Sequence, residues 1–163
     1  MSDPKPESAP SSPPCSAREA DPAYMGYLDP PEVAAALNEL LEAERAGSIV
    51  ALASSREAGA SQAFAQIFAD LHHEEAHWCA ELMAALHRIG AEPSRATGHF
   101  APRALAIGDL GERLSFVNRG QDWVVRRVER LAPRVRDDSL AAMLREMGRR
   151  HSENIDRARA ALG

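Results

Sequence analysis

The stretch from Ile67 to Ile89, IFADLHHEEAHWCAELMAALHRI, sets two adjacent carboxylates and three nearby histidines in an apolar-periodic helix. Charge in such a place is costly unless it is paired, hydrogen-bonded or bound to a metal. Read literally, Glu74-x-x-His77 is a metal-ligand spacing. Placing residues at about 100° intervals favours another register, with His77 roughly 120° from the centre of the apolar stripe. In that register Glu75 falls inside the stripe of Leu71, Trp78 and Leu82, and Glu74 sits on its margin.

Three other apolar stripes are interrupted in the same way. Glu44 lies between Leu37, Leu40 and Leu41 on one side and Ser48 and Ala51 on the other. Gln121 takes the position between Val117 and Val124, and His151 lies one turn after Met147 and one turn before Ile155. Each polar residue is near the middle of its helix, so the four should converge at one height. Two carboxylates, an imidazole and an amide are donors suited to Fe, Mn or Zn. They also suit a metal-free network, in which Glu44 and Glu75 share a proton or pair with protonated His151 while Gln121 satisfies the remaining acceptors. Such a network can fix helix register. The metal reading names Glu44, Glu75, Gln121 and His151, with Glu74 and His77 added in the literal register.

The elements that must position these residues are helical. A first helix is predicted from Asp29-Pro-Pro-Glu32, with Asp29 as N-cap, to a break at Gly59. A second, capped by Ser61, runs to Gly90, and the short turn between them makes the two antiparallel neighbours. From Gly90 to Gly108 the sequence GAEPSRATGHFAPRALAIG shows no long periodicity beyond a short helical turn at Arg103 to Ile107. About 18 extended residues reach roughly 60 Å, and a 25-residue helix is only about 38 Å long. This linker can therefore run the height of a bundle. A third helix starts at Asp109 and stops at Pro133, and a fourth, capped by Asp138, runs to Leu162. The expected fold is an all-α four-helix bundle over residues 30–163, with a long crossover between the second and third helices.

That connectivity, with its mid-helix acids, resembles the ferritin-like superfamily of ferritins, rubrerythrins and related di-iron carboxylate proteins, from about Pro31 to Leu162. LNELLEAERAG and LSFVNRGQDWVVRRVERLAPRVRDD are similar to small bacterial ferritin-like domains without an assigned function. The resemblance implies a Glu on each of two helices and Glu-x-x-His on each of the other two. Glu44 matches the first helix and His151 the fourth. Trp78 stands where the second-helix His is expected, Gln121 replaces the third-helix Glu, and Gly148 lies three residues before His151. Glu44, Glu75 and His151 are the ligands of that pattern that remain. The departures imply a degenerate centre without conventional di-iron catalysis; the alternative is a lean Glu/Glu/His site that binds Fe, Mn or Zn and supports oxygen or peroxide chemistry.

Charge is unevenly distributed along the chain. Residues 1–90 carry 14 acids against five bases, and residues 91–163 carry 10 against 14, so the halves should attract each other. The arginines are spread around helical faces and the chain is acidic overall, at −5, which argues for a solvated surface over a nucleic-acid face. Arg126, Arg130, Arg134 and Arg136 could meet phosphate, but no groove-reading motif accompanies them.

Cys15 and Cys79 make no disulfide framework, no apolar run approaches a membrane span, and the N-terminus lacks the pattern of a signal peptide. A cytoplasmic protein is expected. Residues 1–29, rich in Pro and Ser, are expected to be a disordered tail, with Tyr24, Tyr27 and Leu28 as its one docking segment. Phe116, Trp123 and Arg127 form a second face of the third helix, suited to packing under the crossover or to a homodimer contact. His72, His73, His77 and His87 read as a solvated or interface face. No phosphate loop, nucleophile elbow or zinc-finger spacing occurs, so no catalytic residue is named.

Overall fold

Each long helix begins where a short polar side chain can take up amides that have no partner within the helix. The computed structural model describes residues 25–163, so most of the expected tail, including Tyr24, lies outside the described residues. Helix α1 spans Pro30–Ser55, α2 Gln62–Arg88, α3 Phe100–Leu105, α4 Leu110–Leu131 and α5 Asp138–Leu162. Among the described residues there is no strand.

At α1, Asp29 accepts from the Glu32 amide at 2.8 Å and Glu32 accepts from the Asp29 amide at 3.0 Å, a capping box with prolines in the first turn. Ser61 caps α2 by accepting from the Phe64 amide at 3.3 Å, and Asp109 caps α4 by accepting from the Glu112 amide at 2.8 Å. The cap of α5 is Asp137, which accepts from the Leu140 amide at 2.9 Å, and not Asp138. Of the two adjacent aspartates, the first has the extended backbone an N-cap needs. Asp138 becomes the first helical residue, where its charge still favours the helix dipole. The crossover helix α3 begins three residues before the expected turn, with Pro102 in its first turn, where a missing N–H costs nothing.

The turn between α1 and α2 passes through Gly59 (φ +87), and Gly90 (φ +72) ends α2; both backbone conformations are open to glycine at little cost. The crossover then climbs back along α1. The Ser94 amide donates to Asn38 Oδ1 at 2.7 Å, and Asn38 Nδ2 donates to Glu92 O at 3.1 Å. Arg45 donates to the Ser94 carbonyl. At the far end Arg113, near the start of α4, reaches Ser54 Oγ at 3.1 Å and also pairs with Glu57, so α4 begins at the end of the bundle where α2 begins. The path is up, down, down, up. Adjacent helices are α1 with α2, α2 with α5, α5 with α4 and α4 with α1. The diagonals are therefore α1 to α5 and α2 to α4.

Two apolar clusters fill the bundle. One gathers Leu37, Leu40, Leu41, Leu82, Leu86 and Leu144 with Trp78, Val128 and Met147. The other gathers Val50, Phe68, Leu71, Leu114 and Val117 with Ala101 and Ala104 of α3. Each fully buried leucine contributes about 1.5–3 kcal/mol relative to exposure. Leu28 packs on the first cluster, and its amide donates to Arg134 O at 2.9 Å.

The unequal charge of the two halves is used between helices. Arg150 pairs with Glu74, Arg127 with Glu39, Arg113 with Glu57 and Arg157 with Asp70. Among the described residues no helix is long and apolar enough to cross a membrane.

Candidate functional site

Between the two apolar clusters lies a polar layer made of one side chain from each long helix. Glu44, Glu75, Gln121 and His151 are all buried. Each is carried there by the stripe that also carries its apolar neighbours, so the helices cannot bury those leucines and valines without burying these groups. The layer is organised along the diagonals. His151 Nε2 lies 2.9 Å from Glu44 Oε1, joining α5 to α1. Gln121 Nε2 donates to Glu75 Oε1 at 2.5 Å, joining α4 to α2.

The proton positions follow from the partners. His151 Nδ1 lies 2.9 Å from the Met147 carbonyl, which can only accept, so Nδ1 carries a proton. Nε2 faces a carboxylate oxygen, so a further proton belongs to that contact. Burial alone would lower the His151 pKa, but the charge and hydrogen bond of Glu44 and the bond to Met147 outweigh it, and the net direction is upward. Glu75 is raised well above an ordinary carboxylate, by burial first and by the Glu44 charge second, with Gln121 opposing. The layer is thus a His151–Glu44 hydrogen-bonded pair beside Glu75, a carboxyl whose burial favours its protonated form.

Glycine makes room for it. A Cβ on Gly47 would lie 2.5 and 2.6 Å from the two Glu75 carboxylate oxygens, so the α1 backbone itself forms the slot that holds this group. On the other side of Glu75, Trp78 is buried one turn further along α2. Cys79 is pushed up to about 12 by burial and by the nearby Glu44 and Glu75, which leaves it an inert thiol near neutrality.

Glu74 and His77 do not join this layer. Glu74 turns to the α2–α5 seam and pairs with Arg150. His77 is exposed, with its ring 4.8 Å from that of Trp78. His73 and His87 are also exposed, whereas His72 Nδ1 bonds Ser48 of α1 at 2.9 Å. Among the described residues no group of three or more His, Cys, Asp and Glu side chains is gathered so as to hold a metal ion.

A cavity of about 400 Å³ leads from the surface to this layer at the seam of α1 and α4. Glu44, Gly47, Glu75 and Gln121 lie at its buried end, and exposed Arg103, Arg119 and Trp123 lie at its rim. Phe116 stacks on Phe100 of α3, with ring centroids 5.0 Å apart, and forms part of the wall. The face of Phe116, Trp123 and Arg127 is therefore divided. Phe116 lies under the crossover, Arg127 pairs with Glu39, and Trp123 is left 41% exposed.

Three features had no counterpart among the sequence expectations: the Gly47 slot, the cavity and the buried Arg113. Arg113 is 4% exposed and holds the Ile107 carbonyl at 2.9 and 2.7 Å, so it latches the end of the crossover to α1. A signal for it existed in its place one position before Leu114, on the edge of the apolar stripe.

No curated protein and no solved structure matches the chain. One family model does, that of a domain of unknown function, DUF6306, over residues 31–161. The match runs from the first turn of α1 to the last turn of α5 and includes every residue of the polar layer. This helical bundle, polar centre included, belongs to the DUF6306 family.

Proposed function

We propose that the chain is a ferritin-like bundle whose centre holds shared protons in place of a di-iron cluster, and that it acts as a binding or structural protein without oxygen chemistry. The up-down-down-up path with one long crossover supports the ferritin-like part of this reading. The pairing across the diagonals carries the rest. Each buried carboxylate commits one oxygen to a protein partner, Glu44 to His151 and Glu75 to Gln121.

The donor set does not fit a di-iron cluster. An indole nitrogen only donates, so Trp78 cannot replace a histidine ligand. An amide stands at Gln121 in place of a carboxylate. At Gly148 even a Cβ would lie 3.2 Å from Val128 Cγ1, which leaves little room for a carboxylate side chain. Glu74 is already paired with Arg150.

A second reading, a lean site for a single Fe, Mn or Zn ion, is favoured by one observation. Glu44 Oε2, Glu75 Oε2 and Gln121 Oε1 are buried oxygens without a hydrogen-bond partner, and oxygens of this kind are hard ligands.

Protein purified from cells supplemented with Fe, Mn and Zn separates the two. The proton-centred reading predicts substoichiometric metal. It also predicts oxygen uptake with added Fe(II) no faster than in a Glu44→Ala/His151→Ala control. Stoichiometric metal that is lost in Glu44→Ala would establish the second reading.

A further inference from the structure

The cavity has a chemical polarity from end to end. Glu44, Glu75 and Gln121 line its buried end, and each carries a buried oxygen without a hydrogen-bond partner: Glu44 Oε2, Glu75 Oε2 and Gln121 Oε1. These side chains are 2, 3 and 3% exposed. The middle is apolar, lined by Phe100, Phe116, Val117 and Val124. The rim carries Arg103 and Arg119, whose guanidinium carbons lie 5.5 and 5.3 Å from the Phe116 ring centroid. Neither arginine has a carboxylate partner among the described residues, in contrast to Arg113, Arg127 and Arg150.

We propose that this cavity binds a small amphipathic primary amine that carries a carboxylate at its far end. Its ammonium group sits on Glu44, Glu75 and Gln121, its apolar stem lies along Phe116 and Val117, and its carboxylate meets Arg103 and Arg119.

An ammonium group has three donors and no acceptor, and its charge beside Glu75 favours release of that group's proton, so that Glu44, Glu75 and Gln121 each present an accepting oxygen. A carboxylate at the same depth would instead meet acidic groups of its own kind. A cavity of about 400 Å³ is within the range of small-molecule sites, with apolar walls and few polar groups to set orientation. Phe100 can close over the wall because position 120 is glycine; a Cβ there would lie 2.9 Å from the Phe100 ring. The outer arginines favour a ligand with an anionic end. The proposal rests on the preceding reading in one respect, that no metal occupies these oxygens.

The test uses the full chain after its metal content has been measured. Hexylamine, 6-aminohexanoate and hexanoate are titrated while the Gln121 side-chain amide and the Trp123 indole are followed by NMR. Both amines should give saturable shifts at these two groups, with 6-aminohexanoate tighter by about fivefold, the size expected of an exposed ion pair. Hexanoate should bind at least about tenfold more weakly than hexylamine, one like-charge contact being enough for that ratio.

Glu75→Gln, checked for folding by its melting curve, should weaken both amines by about tenfold. Should that variant not fold, Arg103→Gln/Arg119→Gln carries the test. It alters only exposed residues and should leave hexylamine unchanged while removing the advantage of 6-aminohexanoate.

Hexanoate binding as tightly as hexylamine overturns the proposal, as does equal amine affinity in folded Glu75→Gln. In the arginine variant, a retained advantage of 6-aminohexanoate overturns it too. No saturable shift in metal-free protein, meaning that water alone fills the cavity, overturns this proposal and leaves the earlier reading standing. Stoichiometric metal in the protein as purified overturns the earlier reading first.

Discussion

His151 Nε2 lies 2.9 Å from Glu44 Oε1, so the ion pair at the heart of the bundle joins α5 to α1 across a diagonal and not between adjacent helices. Both side chains are essentially inaccessible, at 1% exposure each. A contact of this kind couples the two hairpins of the bundle, α1–α2 and α4–α5, at their centre. Removing one member leaves the other buried without its partner.

Glu44→Ala is expected to destabilise the protein by about 3–5 kcal/mol in urea unfolding, the usual cost of breaking a buried pair. The paired replacement Glu44→Leu/His151→Leu should cost far less and could even stabilise by about 1 kcal/mol or more, because neither charge is then left alone. Equal losses in the single and double variants would contradict the coupling.

The pH dependence follows from two groups whose folded pKa values are raised. The contribution of Glu75 is fully present below the ordinary glutamate value of about 4.3 and is lost as pH rises through its folded value. The contribution of His151 is fully present below about 6.5 and is lost as pH rises through its folded value. The native state therefore loses stability with rising pH, through the Glu75 term from about 4.3 upward and through the His151 term from about 6.5 upward. Glu75→Gln should remove the first part of that loss, so the difference in stability between variant and native protein grows in favour of the variant with increasing pH. A constant difference between pH 4 and pH 8 would refute the assignment.

Gly47→Ala should cost about 1–3 kcal/mol, since its methyl group meets the Glu75 carboxylate head on. In a Glu75→Ala background the same change should cost almost nothing. Additive effects in this cycle would show that Gly47 serves some purpose other than the slot.

Arg113→Met keeps the apolar stem but drops the bonds to the Ile107 carbonyl, Ser54 and Glu57. The expected loss is about 1–3 kcal/mol for leaving a part-buried carbonyl unpaired. Amide exchange should accelerate in α3 and the residues after it while the core of α1 stays protected. Unchanged exchange in the crossover would contradict the latch.

Much of this arrangement could be read from residue spacing. Leu71, Trp78 and Leu82 require Glu75, and not Glu74, to face inward, because a helix turns about 100° per residue. The same rule placed Glu44, Gln121 and His151 on their stripes. Spacing within a helix says nothing about which stripe residue meets which across the core, so the diagonal pairing was hidden. It also could not choose between Asp137 and Asp138 as the cap, since the two side chains are chemically identical and differ only in backbone conformation. Arg113 was obscured by its charge, and Gly47 by having no side chain to place. Both matter through contacts with distant parts of the chain.

The central claim is that a proton, not a metal, holds the diagonal together. The most direct measurement is a 15N NMR titration of the His151 ring in protein that is otherwise native. Both ring nitrogens should carry protons at pH 6.5, with a midpoint above this value. A midpoint below pH 6.5, or a ring nitrogen with the shift of a metal ligand, would contradict it.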